Sequence, residues 1–193
     1  MKKLHKIILA LLVISFTSCA SYSNKISKDQ QSELTKSNIH SIEGVYEFEA
    51  FESFVSKGGD VYEIDNDIEY PDYYILGTRL KLNPADVTMV VKIVSKNKIS
   101  FTLKRKNTFL FEKTIKMKLR PNGFIHLKNK HVEIIGVPLL IGGIESEKMR
   151  IGISENGDLL LHYAYDIFGS LIFFSSGTRY NRTHYYKKIN PSV

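Results

Sequence analysis

The chain has a single cysteine among its 193 residues and no tryptophan at all. One sulfur cannot close an intrachain disulfide, and it excludes zinc centres built on several thiolates. Proline and glycine, at 5 and 12 residues, are too scarce for a fibrous or low-complexity chain, so a folded domain is expected. The length suits one domain with its own core and leaves no comfortable room for a second. A run apolar enough to span a bilayer is missing too. Ile7 to Phe16 covers about ten residues, against the roughly twenty that a spanning helix needs.

Strong positive charge is also less than it first looks. Removing the leader lysines Lys2, Lys3 and Lys6 from the 27 basic residues leaves 24 against 20 acidic ones, too even a balance to point to nucleic acid. No Gly-x-Ser-x-Gly elbow, no His-Glu-x-x-His pair and no glycine-rich phosphate loop before a helix is present, so nucleophilic, metalloprotease and nucleotide chemistry have no local signature. No cofactor or metal is expected.

What is present begins at the N-terminus. Residues 1–18 have a basic start, the apolar run, and small polar Thr17 and Ser18 before Cys19, which is the plan of a secretory signal peptide. Ser18-Cys19 resembles the lipobox of bacterial lipoproteins, in which a small residue precedes the cysteine that receives diacylglycerol. Phe16 stands where that pattern usually has leucine. The resemblance implies lipidation at Cys19, a palmitate-type acyl anchor, and contact with membrane through the N-terminal lipid. Each buried CH₂ contributes ~0.8 kcal/mol, so two or three acyl chains hold a protein durably. By the sorting rule of Gram-negative lipoproteins, Ala20 in place of Asp implies the outer membrane of the cell envelope, facing the periplasm or the outside.

Residues 19–41 follow as the lipidated cysteine and a polar, serine-rich stretch that reads as a flexible tether, and 42–193 as a single β domain. From Ile42 the pattern alternates, most clearly over Ile99 to Lys104 and Ile115 to Arg120. Pro121-Asn122-Gly123 and Glu155-Asn156-Gly157-Asp158 mark two hairpins, returning over Phe124 to Lys128 and Leu159 to Asp166. Further strands are expected at Gly44 to Phe54, Tyr73 to Leu82, Val87 to Lys96, Phe109 to Lys113, Val132 to Val137, Met149 to Ile153, Leu171 to Phe174 and Thr183 to Ile189. The expected fold is all-β, an antiparallel meander of roughly ten strands, with a closed barrel preferred over a β-sandwich. Gly44-Val45-Tyr46 resembles the Gly-x-Trp start of lipocalin-type barrels with Tyr replacing Trp, and the lipocalin-like reading would set Arg182 against it.

Half the acidic residues lie between Glu43 and Asp72, opposed only by Lys57, whereas Arg79 to Lys130 is basic apart from Asp86 and Glu112. The two blocks are expected to pair across neighbouring strands, with a partner-docking surface as the functional alternative and an anionic lipid or polysaccharide contact as a third. Asp65, Asn66, Asp67, Glu69 and Asp72 are candidate oxygen ligands for calcium, interrupted by Pro71 and lacking the EF-hand glycine and distal glutamate. His126, His131, His162 and His184 have no ligand spacing and are expected to be scattered. Two non-alternating apolar runs, Val137 to Ile141 and Ile167 to Phe174, are expected as strands buried on both faces; the alternatives are the lining of a lipid-like ligand site or a membrane-touching loop.

The function expected is a membrane-anchored envelope lipoprotein with a non-catalytic β-barrel that binds an apolar small molecule or envelope component. The alternative is a protein-interaction module with a protein partner, such as an inhibitor or immunity lipoprotein, and an envelope hydrolase is third. The sequence assigns no ligand-binding residue.

Overall fold

The computed structural model describes residues 22–23, 31–64, 70–77, 83–106, 108–137, 141–171 and 174–189. Within them lie ten strands: β1 Gln31–Ser32, β2 Gly44–Lys57, β3 Asp60–Glu63, β4 Val87–Ser95, β5 Lys98–Arg105, β6 Thr108–Leu119, β7 Ile125–Val137, β8 Ile141–Ser154, β9 Leu159–Leu171 and β10 Phe174–Ile189. A six-residue helix, α1, spans Pro71–Leu76.

All pairing is antiparallel, in the order β8-β7-β6-β5-β4-β2-β10-β9, and β9 pairs back to β8, so the sheet curls round on itself. The all-β, barrel-like meander read from the alternation is the fold. Closure is confined to the lower end. β2 meets β4 only over Gly44 to Glu47, and β6 meets β7 only over Met117 to Leu119. Above those contacts, β7-β8-β9-β10-β2 with β3 continues as a half-barrel, open where β4-β5-β6 leans away.

Alternation puts Met89, Val91, Ile99, Phe101, Ile115, Met117, Ile125, Ile151, Leu161 and Tyr186 inside the ring, all buried. Tyr46 lies among them, its hydroxyl donating to the Ile42 carbonyl at 2.8 Å. The cation near the Tyr46 ring is Lys188, 5.6 Å from the centroid, and not Arg182, which belongs to Tyr180 at 5.5 Å. Register explains this: Lys188 lies opposite Tyr46, and Arg182 opposite Val55. The two turns expected from their glycines are present. Gly123 and Gly157 hold φ of 75° and 83°, a region other residues enter only under strain.

The strand expected over Tyr73 to Leu82 is replaced at its start by α1, and residues 78–82 lie outside the described ones. Pro71 presets the helical φ at the first position and Gly77 ends the helix in a left-handed conformation, φ 76°. Burial of Tyr74 and Ile75 against the barrel overrides their strand preference. The folded chain also begins before Ile42. Gln31 and Ser32 pair with Ser154 and Ile153, and Leu34 joins the core at 2% exposure. Residues 31–41 are therefore part of the domain rather than tether.

The acidic and basic blocks meet where β2 runs beside β4: Glu43 accepts from the Ile93 amide at 2.7 Å and, against its desolvation, is held low by that bond and in part by the Lys92 charge. Acidic β2 has β3, β4 and β10 as neighbours, while basic β6 and β7 lie across the ring from it. Directly opposed lysines, Lys98 and Lys116, sit side by side on β5 and β6.

Candidate functional site

The long strands β7 to β10 give the half-barrel a concave face, whose side chains continue the parity of the core below. Cross-strand register arranges it in rows. At the tip, Val137, Ile141, Leu171 and Phe174 are in line; below them come Ile135, Gly143, Gly169 and Ser176. Next are Glu133, Glu145, Ile167 and Thr178, then His131, Glu147, Tyr165 and Tyr180, and finally Met149, Tyr163 and Arg182. The trough is thus apolar at its rim, floored by glycine, then acidic, then aromatic.

Two hollows occupy this surface. The upper, about 350 Å³, is lined by Ile135, Gly143, Glu145, Ile167 and Gly169 from these rows, and by Ile144 and Phe168, whose register gives them the opposite parity. Glycine inside a strand leaves backbone bare for something else to approach. The lower, about 340 Å³, is lined by Tyr73, Tyr74, Tyr163, Lys113, His131 and Glu147. Helix α1 floors it through Tyr74, whose ring lies 4.9 Å from that of Tyr163 and whose carbonyl accepts from Asn129 at 3.3 Å. Tyr165 and Tyr180 stack at 4.9 Å. The Tyr163 hydroxyl donates to Glu147 at 2.6 Å, and burial together with that carboxylate keeps the phenol protonated. Burial and the neighbouring Glu145 carboxylate push Tyr165 up to about 12.

The apolar runs expected to be buried on both faces are instead the rim of this trough. Ile141, Leu171 and Phe174 are 63%, 59% and 82% exposed. They end hairpins that project past the closed ring, where no second layer covers them among the described residues. Residues 138–140 and 172–173 of the same runs lie outside the described residues.

The four candidate histidines divide between environments. His131 is exposed beside Glu133, 3.6 Å away. His184 lies inside the barrel with Ser53 Oγ 2.8 Å from Nδ1 and the Tyr74 hydroxyl 3.1 Å from Nε2. This serine–histidine pair is buried beneath α1 and ties the helix to β2 and β10. Burial, then the Arg182 charge, lowers His184 to about 3. His126 and His162 point outward, on the convex side. Among the described residues no group of three His, Cys, Asp or Glu is placed to hold a metal ion. Asp72 is buried at the start of α1, where its carboxylate accepts from the Tyr73 amide; Asp65, Asp67 and Glu69 lie outside the described residues, as does Cys19.

The convex face carries a second construction. The Arg150 guanidinium, 1% exposed as a residue, sits between the rings of Phe124 and Tyr22, at 3.8 and 4.4 Å. It donates from Nη2 to His162 Nδ1 at 3.0 Å and to the Ser23 carbonyl at 3.4 Å. His162 Nε2 then donates to Asn181 Oδ1 at 3.3 Å, which also accepts from the Ser23 amide at 3.1 Å. An arginine can only donate, so His162 Nδ1 must be the bare nitrogen. Burial first, and the Arg150 charge second, hold this histidine well below its usual pKa. Tyr22-Ser23 is therefore clamped to the barrel.

Neither the trough nor the clamp was named from sequence. The informative signal was glycine at 143 and 169, on strands that only tertiary pairing brings into one row. Comparison of the chain with protein-family models, with curated proteins and with solved structures finds no match.

Proposed function

We propose that this chain is a bacterial envelope lipoprotein, held at the outer membrane by a lipid on Cys19, whose non-catalytic barrel takes an amphiphilic envelope component. The observation that carries the reading is the continuity of the concave face, where an apolar, glycine-floored row leads into tyrosines with a carboxylate and a lysine. An acyl or other apolar portion would lie across Gly143 and Gly169, and its polar head would reach Tyr163, Glu147 and Lys113. A hollow of this size and lining is characteristic of small-molecule sites. The interior of the closed ring is occupied by core side chains, Met89, Phe101, Ile125 and Ile151 among them.

Gly169→Val tests the trough. A Cβ there meets nothing nearer than 3.8 Å, and valine suits a strand, so folding should be unaffected while the floor is filled. Titration with a dansylated fatty acid is expected to show binding at least tenfold weaker in the variant. Equal affinity would overturn the trough as the site.

The anchor is tested separately. Cells fed a clickable fatty acid are expected to label the wild type and not Cys19→Ala, and label on both would remove Cys19 from the account.

A second reading, an interaction module for a protein partner, is favoured by the exposed rim of Ile141, Leu171 and Phe174. Loss of partner capture on Phe174→Ser, with fatty-acid binding unchanged, would favour it over the first.

A further inference from the structure

We propose that the convex face of β6 and β7 is a seat for an anionic bilayer surface, and that the Tyr22 clamp brings the lipid anchor to that seat. The inference rests on the lipoprotein reading for its geometry, and its test does not.

Three independent observations converge. First, two adjoining hollows share Lys118 and Lys128. One, about 1020 Å³, lies at the end of the barrel between residues 36–40, the β4–β5 hairpin and β6, and adds Lys36 and Lys96 beside apolar Ile39, Ile93 and Leu119; the other, on the convex face, adds Arg120, His126, Lys148 and Tyr22. No aspartate or glutamate lines either one. Among the described residues, Lys96, Lys118, Arg120 and Lys128 make no ion pair, whereas lysines elsewhere do, as Lys187 does with Asp158 and Lys106 with Asp86. Basic side chains beside apolar ones match the headgroup boundary of an anionic membrane, which attracts lysine and arginine within a Debye length.

Second, the clamp sets the distance. Tyr22 lies three residues after Cys19, so its Cα can be at most about 11 Å from that of the acylated cysteine. Tyr22 touches this face edge-on at His126, with ring centroids 5.1 Å apart. A stretch that reads in the sequence as a long stalk therefore acts as a short one, and the barrel cannot stand far off the bilayer.

Third, the acidic strand β2 lies across the ring from β6 and β7, so the face that an anionic surface would repel points away from it. The trough is left free in the same orientation. β7 runs from Leu127 at the seat to Val137 at the rim, roughly 30 Å at the usual strand rise.

The experiment uses the chain from residue 19 onward with Cys19→Ser, which keeps every described residue and has no lipid. Sedimentation with vesicles of phosphatidylcholine containing a third phosphatidylglycerol is expected to capture it, and pure phosphatidylcholine vesicles are not. Capture should fall at least tenfold in the combined variant Lys118→Glu, Arg120→Glu, Lys128→Glu. A charge-matched control, Lys57→Glu, Lys104→Glu, Arg105→Glu, is expected to stay within twofold of the parent, with circular dichroism confirming that all three chains are folded. Equal loss in the control would reduce the effect to net charge and overturn the seat. So would undiminished capture of the first variant, or tighter binding to soluble heparin than to the vesicles. The result is independent of whether Cys19 is acylated, so the failure of the seat and the failure of the anchor are read from different experiments.

Discussion

Acidification from pH 7.5 to pH 5 is expected to destabilise the barrel by about 4 kcal/mol, most of it from two buried histidines. His162 and His184 are both fully buried, at 0% exposure. Each is held neutral in the folded chain, His184 at about 3 and His162 well below its usual value. The folded state thus binds fewer protons than the unfolded chain once the pH drops below the ordinary histidine value. Stability is fully present above about pH 6.5 and is lost as the pH falls, at about 1.4 kcal/mol per unit for each ring, until the folded-state value is reached.

The groups facing the rings explain why neither escapes. His162 meets Arg150, Asn181 and the nearby His126 and His184, and a proton on Nδ1 would be driven against the guanidinium. His184 meets Ser53 and Tyr74, with the Arg182 charge close by. Urea midpoints at pH 7.5, 6.0 and 5.0 check the slope. His162→Gln and His184→Gln are each expected to flatten it in part, since glutamine keeps hydrogen-bonding capacity without titrating there, and His126, lowered to about 4 by burial and the Arg150 charge, supplies a further share. A profile flat across this range would overturn the assignment. Because His162 is part of the clamp on Ser23, acid should also free the Tyr22 segment as the network breaks.

The barrel was legible in the sequence wherever one face is buried and the other wet. Ile99 to Lys104 alternates without interruption and forms β5 with Ile99, Phe101 and Leu103 buried. Legibility failed where the pleat is interrupted. β7 looks like two strands because a register shift between Leu127 and His131 breaks the alternation, yet the chain continues in one ladder with β8. The apolar runs at the rim carry no signal that separates a buried strand from a projecting hairpin end, since hydrophobicity reports transfer preference and not what happens to be nearby.

The clamp was the least visible part. Tyr22 and Ser23 lie in a serine-rich stretch with no period, and their partners Phe124, Arg150, His162 and Asn181 are supplied by four separate parts of the chain. The trough is an intermediate case. Its glycines and tyrosines are plain in the sequence, but their sharing of one face depends on a register that only pairing fixes.

Tyr74→Ala is expected to cost about 3–5 kcal/mol, the range for deleting a buried aromatic side chain, and to change the trough more than any substitution on its walls. The ring is 6% exposed and wedged against Tyr163 and His184, with centroids 4.9 and 5.1 Å away. It separates the lower hollow, which Met149 already lines, from the packed ring, so its loss would deepen that hollow toward the core. Tyr74→Phe keeps the floor and removes only the hydroxyl that faces His184 Nε2, for an expected cost of about 1–3 kcal/mol. Urea unfolding of both variants separates ring from hydroxyl, and the dansylated fatty acid reports the trough. Tyr74→Phe should bind the probe as the wild type does, while Tyr74→Ala, at a temperature where it remains folded, should bind it with altered affinity and emission as the pocket deepens. Equal destabilisation by both would place the energy in the hydrogen bond to His184. A loss below about 1 kcal/mol for Tyr74→Ala would mean that α1 rests on the barrel without flooring it, and the trough would then have to be bounded by the strands alone.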